Sequence, residues 1–278
     1  MRLGPIAVLL FFICIGPLAA QDRQQVVSLP GPGGSTLVAT VMRPPGEARS
    51  PLVVINHGSP ADSSQRFKME RPRFTALSSW FLSRGYVVAL PLRRGYGETG
   101  GDWAEGYGLC DAPDYYRAGL QGAADIQATI DFMRAQPYVA PDRTIVVGQS
   151  AGGWATIALS SRSPPGVAAM INFAGGRGGH QKLAGGGIGN CTPRALVDAA
   201  ARYGATARVP MLWIYAENDS FFEPSLAKRM VEAYDGAGGK AVYRPVGAFG
   251  RDGHSLAGSS NGNSVWGPLI ESFLAGLR

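Results

Sequence analysis

Apolar and polar positions alternate between two patterns along this chain. Short runs of five to seven mostly apolar residues occur at 52–56, 86–90, 144–148, 167–173, 209–215 and 241–245. Runs that short, with no polar face, predict strands buried on both sides. Between them lie longer stretches with apolar residues at helical spacing: 74–84, 119–134, 151–161, 225–234 and 265–277. Gly85 closes the first of these helices. Ahead of the first buried run, residues 25–29 and 35–42 read as two short strands around a Gly-Pro-Gly-Gly turn, a hairpin at a sheet edge. Strands alternating with helices predict a mainly parallel sheet of about eight strands with helices on both faces. One long stretch, 175–193, has neither pattern and carries eight glycines (175, 176, 178, 179, 185, 186, 187 and 189). An irregular segment of that length points to function.

The start of the chain differs. Arg2 precedes ten apolar residues, 6–15, and Gly16, Pro17 and the small residues Ala19 and Ala20 follow. This is the pattern of a cleavable secretory signal over 1–20, too short for a comfortable membrane span. The reading places residues 21–278 outside the cytoplasm, secreted and periplasmic, as a single domain with no stable membrane span. Cleavage removes Cys14 and leaves Cys110 and Cys191, both in Gly-rich loops. In an oxidising compartment they can form one bridge, clipping two loops beside the site described next; two separate thiols are the alternative. A composition that is 45% hydrophobic and 17% charged excludes wholesale disorder. The net charge of +6 comes with only four lysines and no basic block, which argues against nucleic-acid binding. Three scattered histidines and no His-Glu-x-x-His pattern offer little for zinc, so no cofactor is expected.

Chemistry concentrates at predicted strand ends. Gly148-Gln149-Ser150-Ala151-Gly152 joins an apolar strand to a helix, the context a nucleophile elbow requires. Such a turn lifts a serine hydroxyl above the sheet beside a helix N-terminus. A serine nucleophile needs a base, and this architecture runs Ser, acid, His along the chain. His254 fits as base, and Asp219, ending the strand through Ala216, fits as acid. Glu217 is the runner-up, and Asp252 reads as a brace for the His254 loop. His57 reads as a loop-shaping residue and His180 as a surface or substrate-loop residue. The backbone N–H of Ala151 supplies one oxyanion donor; Ser59, or Gly58, after the first buried strand supplies the second. Arg93 and Arg94 brace the pocket against acids such as Asp102 or Asp111, or receive a substrate carboxylate. Tyr96, Trp154, Phe221 and Phe222 are candidate pocket residues, with Trp154 also readable as core.

The segments VVINHGSP, RRGYGETGG, VVGQSAGG, LWIYAENDSFF and RDGHSL resemble those of α/β-hydrolases of the dienelactone hydrolase and prolyl oligopeptidase-like group. The resemblance covers 35–278. It implies an α/β-hydrolase fold and a cofactor-free serine hydrolase with Ser150, Asp219 and His254 as nucleophile, acid and base. Dienelactone hydrolase itself uses a cysteine where Ser150 stands. The first expectation is therefore a secreted hydrolase of carboxylic esters, acting on a small-molecule ester by an acyl-enzyme mechanism. A serine peptidase acting on short peptides is the alternative. A noncatalytic binding protein on the same scaffold is the rival outside enzymes, and turnover of an activated ester separates it.

Overall fold

The computed structural model describes residues 23–183 and 186–277, so the expected leader lies outside the described residues. Ten strands are present: β1 (Gln24–Pro30), β2 (Thr36–Met42), β3 (Leu52–Asn56), β4 (Val87–Leu92), β5 (Thr144–Gln149), β6 (Val167–Phe173), β7 (Gln181–Lys182), β8 (Ile188–Gly189), β9 (Met211–Ala216) and β10 (Ala241–Val246). Six helices accompany them: α1 (Thr75–Leu82), α2 (Tyr115–Arg134), α3 (Ala151–Ser160), α4 (Pro193–Gly204), α5 (Pro224–Gly236) and α6 (Asn263–Ala275). Eight strands form one sheet in the order β1-β2-β4-β3-β5-β6-β9-β10. β1 and β2 pair antiparallel, as does β2 with β4, and every other pairing is parallel. This is the mainly parallel eight-stranded sheet that the alternating patterns predicted, in the α/β-hydrolase architecture that the resemblance implied.

Burial follows the two-residue period of the strands. Val54, Ala89, Val146, Met170 and Trp213 point to one face, where they pack with side chains of α2, α3, α4 and α5. Val53, Val88, Val147, Ile171 and Ile214 point to the other, against α1 and α6. Both faces of β3, β4, β5 and β9 are thus dry, which is why these strands carry no polar alternation.

Two elements depart from the expectation. The stretch 175–193 is not structureless: β7 and β8 pair as a small hairpin within it. It leads into α4, a helix absent from the sequence reading. Its N-terminal signal, Thr192-Pro193, sits directly behind the glycine-rich run. Helix α2 starts at Tyr115, four residues before the expected Gly119, because the Asp114 carboxylate accepts the Arg117 N–H and caps it there.

Candidate active site

β5 ends at Gln149, α3 begins at Ala151, and Ser150 between them has φ 54° and ψ −119°. A Cβ on Gly148 would overlap the Gly152 carbonyl, and one on Gly152 would overlap the carbonyls of Asn56 and His57. Both glycines are therefore needed for the turn to close. Ser150 lines a cleft of about 280 Å³ together with Ala151, Ser59 and Phe221. Ala151 is the first residue of α3, so its N–H has no partner within the helix and is available to an anion.

His254 lies in a short turn after β10, and its Nδ1 is 3.1 Å from each oxygen of Asp219. Asp219 follows β9, and its Oδ1 also accepts the backbone N–H groups of Phe221 (2.8 Å) and Phe222 (3.0 Å). Phe221 stacks on the imidazole of His254, with centroids 4.1 Å apart. The carboxylate is thus satisfied on several sides and held under an aromatic lid. Gln149 donates from Nε2 to the His254 carbonyl at 3.2 Å, joining the serine turn to the histidine turn. Asn218 ties the other pair of loops: its Oδ1 accepts the Phe249 N–H and its carbonyl accepts the Gly253 N–H. Neither residue was singled out from the sequence. Gln149 occupies a motif position open to any residue; Asn218, a turn former directly after a strand, carried a weak signal.

Asp252 accepts from the His254 N–H (3.0 Å), the Ser220 N–H (3.1 Å) and the Ser220 hydroxyl (2.6 Å), and so braces the turn. Partial burial pushes its carboxyl up, but these hydrogen bonds outweigh that and hold it below the ordinary carboxylate value. Glu217 is exposed at the end of β9. His57 is 1% exposed. Its Nε2 accepts the Arg93 N–H at 3.2 Å and its Nδ1 lies 2.7 Å from the Gly58 carbonyl, a pairing that puts the ring proton on Nδ1. Burial first, then Arg93 and Arg177, hold this imidazole well below its ordinary value, so it stays neutral. His180 is exposed and stacks on Phe221, centroids 5.0 Å apart.

The structure corrects two expectations about the pocket, Tyr96 and the arginine partners, and decides Trp154 in favour of the core. Tyr96 is fully buried and does not line the serine cleft: its hydroxyl donates to Glu105 (3.2 Å) and receives the Trp103 indole N–H (3.1 Å). Trp154 is fully buried as well, on the core side of α3, donating to the Tyr115 carbonyl at 2.9 Å. Phe221 and Phe222 do line the serine cleft. The arginines also choose other partners than Asp102 and Asp111. Arg93 pairs with Glu105, and Arg94 with Asp125. Glu105 simultaneously pairs with Arg177, from the loop after β6. Nothing in the local sequence around Glu105 or Arg177 announced this pairing.

A second, larger cleft of about 670 Å³ lies on the other side of Ser59 and Pro60, lined by His254, Met69, Phe74 and Gly258. Cys110 and Cys191 form a disulfide, with Cα atoms 4.8 Å apart. Around it the Cys191 N–H donates to the Gly178 carbonyl (2.8 Å) and the Tyr115 hydroxyl to the Cys191 carbonyl (2.7 Å). The bridge therefore backs the wall of the serine cleft. Among the described residues, no group of three or more His, Cys, Asp or Glu side chains is placed to hold a metal ion.

A family model described as X-Pro dipeptidyl-peptidase (S15 family) matches residues 33–208. The chain belongs to this family. Within this S15-family chain the match takes in Ser59 and Ser150 and stops before Asp219 and His254. Dipeptidyl-peptidase 5 of Porphyromonas gingivalis is 28% identical over 161 residues, 57% of this chain and 22% of the relative, so the chain spans about a fifth of that relative's length. Among solved structures, a Klebsiella pneumoniae chain assigned as a dienelactone hydrolase superposes with TM-score 0.59 at 17% identity, covering 90% of this chain and 98% of that one. Acylaminoacyl peptidase of Pyrococcus horikoshii superposes with TM-score 0.61 at 17% identity, covering 91% and 41%. These structural likenesses establish the shared fold. The chain is thus a member of the S15 family with an α/β-hydrolase-type fold.

Proposed function

We propose that this S15-family chain is a serine peptidase with Ser150 as nucleophile, His254 as general base and acid, and Asp219 as the orienting carboxylate. The contact of His254 Nδ1 with both Asp219 oxygens, 3.1 Å each, carries the reading. A carboxylate at Nδ1 keeps a proton on that nitrogen and leaves Nε2 free to accept another. The Ser150 hydroxyl proton passes to Nε2 as Oγ bonds to the scissile carbonyl carbon. Negative charge on the carbonyl oxygen meets the N–H of Ala151 and the N–H of Ser59. The C–N bond then breaks, and the leaving amine takes the proton from Nε2. Water attacks the resulting ester, gives its proton to His254, and the Ser150 oxygen leaves with that proton, releasing a carboxylic acid.

The two clefts divide the substrate between them. The larger one includes His254, which protonates the leaving group, so it takes the leaving side. The smaller one includes Ser150, Ala151 and Phe222 and takes the acyl side. The choice of peptide bonds over esters, the reverse of the order the sequence suggested, rests on the family match and on the dipeptidyl-peptidase relative. The test is intact mass after fluorophosphonate treatment, followed by turnover of matched p-nitroanilide and p-nitrophenyl substrates. One adduct on the protein, absent from S150A, together with anilide turnover is expected. No adduct on folded protein removes Ser150 as nucleophile, and ester turnover without anilide turnover returns the reading to an esterase.

A further inference from the structure

The acyl-side cleft has an unusual electrostatic wall. Among the described residues that line it, Arg177 carries a formal charge and none is acidic. Arg177 is 3% exposed. Its one ion-pair partner among the described residues, Glu105, is fully buried and shared with Arg93, which is fully buried too. The group therefore holds two guanidiniums against one carboxylate. Asp125, the next acid, is committed to Arg94, to which it is joined by a 2.6 Å contact and by the Arg94 N–H at 2.8 Å. Arg177 Nε has no hydrogen-bond partner.

A second cation stands at the same wall. Arg66 stacks on the Trp103 ring at 3.8 Å, and Trp103 lines the cleft; Arg177 lies 5.8 Å from that ring. Arg66 Nε and Nη1 are buried and likewise without partners. Two cations thus flank one aromatic wall with unmade hydrogen bonds on both. Leaving such donors unpaired is costly, and a carboxylate is the group that matches a guanidinium best.

We infer that the acyl-side cleft selects substrates whose acyl residue carries a carboxylate, with Arg177 and Arg66 as the specificity-determining residues. This rests on the serine peptidase reading above. Because Glu105 is capped by two arginines, the described cleft presents no free carboxylate to a substrate ammonium group, and the selected charge is negative.

The test compares two isosteric substrates, acetyl-Gly-Glu-p-nitroanilide and acetyl-Gly-Gln-p-nitroanilide, on the full protein. Wild type should favour the glutamyl substrate in kcat/KM by roughly 10–100-fold, the range of a charge-assisted hydrogen bond in a dry site. R177Q should bring that ratio close to one, R177K should keep part of it, and R66Q should lower it less. If R177Q does not fold, the wild-type ratio and the half-exposed R66Q still decide. Wild type that takes up fluorophosphonate and cleaves both anilides equally, or prefers glutamine, overturns the carboxylate inference and leaves the peptidase reading standing. Wild type that takes up no label and cleaves neither overturns both.

Discussion

Glu105→Gln is the sharpest test of how this fold carries charge. Glu105 Oε1 accepts from Arg93 Nε, and Oε2 accepts from Arg177 Nη2, from the Tyr96 hydroxyl at 3.2 Å and from Arg93 Nη2 at 3.4 Å. In glutamine one of these oxygens becomes an NH2. Placed at Oε1, it faces the Arg93 Nε–H; placed at Oε2, it faces guanidinium N–H groups from both arginines. Neither orientation avoids a donor against a donor, and the carboxylate charge that offsets two buried cations is gone. Burial already pulls both guanidiniums below their ordinary value, yet that value is high enough for each to stay charged. Removing one partner of a buried pair typically costs about 3–5 kcal/mol. Against a total of about 5–15 kcal/mol, that is a large loss. At about 2–4 °C per kcal/mol, Tm should fall by roughly 6–20 °C. Urea unfolding followed by tryptophan fluorescence, at unchanged m, with the disulfide intact, reads the free energy directly. Salt up to molar concentration should not restore it, because the pair is buried. A loss below about 1 kcal/mol would refute the claim that Glu105 neutralises Arg93 and Arg177.

Other outcomes follow from the same geometry. His57 is held neutral by burial and by its arginine neighbours, with a folded value below the ordinary 6.5. Its contribution to stability is complete above pH 6.5 and falls as pH drops toward the folded value. Up to one extra proton should be taken up on unfolding as pH falls below 6.5, measurable as a slope of at most about 1.4 kcal/mol per pH unit. The Tyr234 hydroxyl donates to Ser160 Oγ at 2.8 Å, and burial raises it to about 12. Its neutral form stabilises the fold fully below pH 10, and that stability is lost as pH rises toward 12. Y234F should flatten the alkaline slope between those values in pH-dependent unfolding while costing about 1 kcal/mol at neutral pH. Reducing the Cys110–Cys191 bridge, which spans 81 residues, should cost about 4 kcal/mol by the chain-entropy argument. Because the bridge backs Gly178 at the cleft wall, KM should rise more than kcat falls; an unchanged KM in C110S/C191S would show that this wall stands without it.

The layer structure was legible in the chain because its causes are local. An apolar run such as 144–148 between polar flanks can bury both faces only inside a sheet. Gly148 and Gly152 around Ser150 fit one tight turn, and the order Ser150, Asp219, His254 is a property of the chain itself. The hairpin of β7 and β8 escaped because glycines hide periodicity and the pairing there is set by neighbours, whereas helix α4 keeps Leu196, Ala199, Ala200 and Tyr203 at helical spacing and was legible but not read. Tyr96 was misplaced, and Trp154 left open between cleft and core, for a related reason: an aromatic next to a motif looks the same whether its ring turns to the cleft or to the core.

What the tertiary structure alone decided is who meets whom across the sheet. Parallel strands in the order β4-β3-β5-β6-β9 bring their carboxyl ends to one edge, so loops far apart in the chain converge there. That is how Gln149 reaches the His254 carbonyl, 105 residues away, and how Glu105 receives Arg177, 72 residues away. A carboxylate's choice between Arg93 and any other cation depends on distance and on water exclusion, and both come into being when the core closes. The order of the candidate residues Ser150, Asp219 and His254 was set by the chain; the fold set the cleft beside them, lined by Arg177 and by no acid among the described residues.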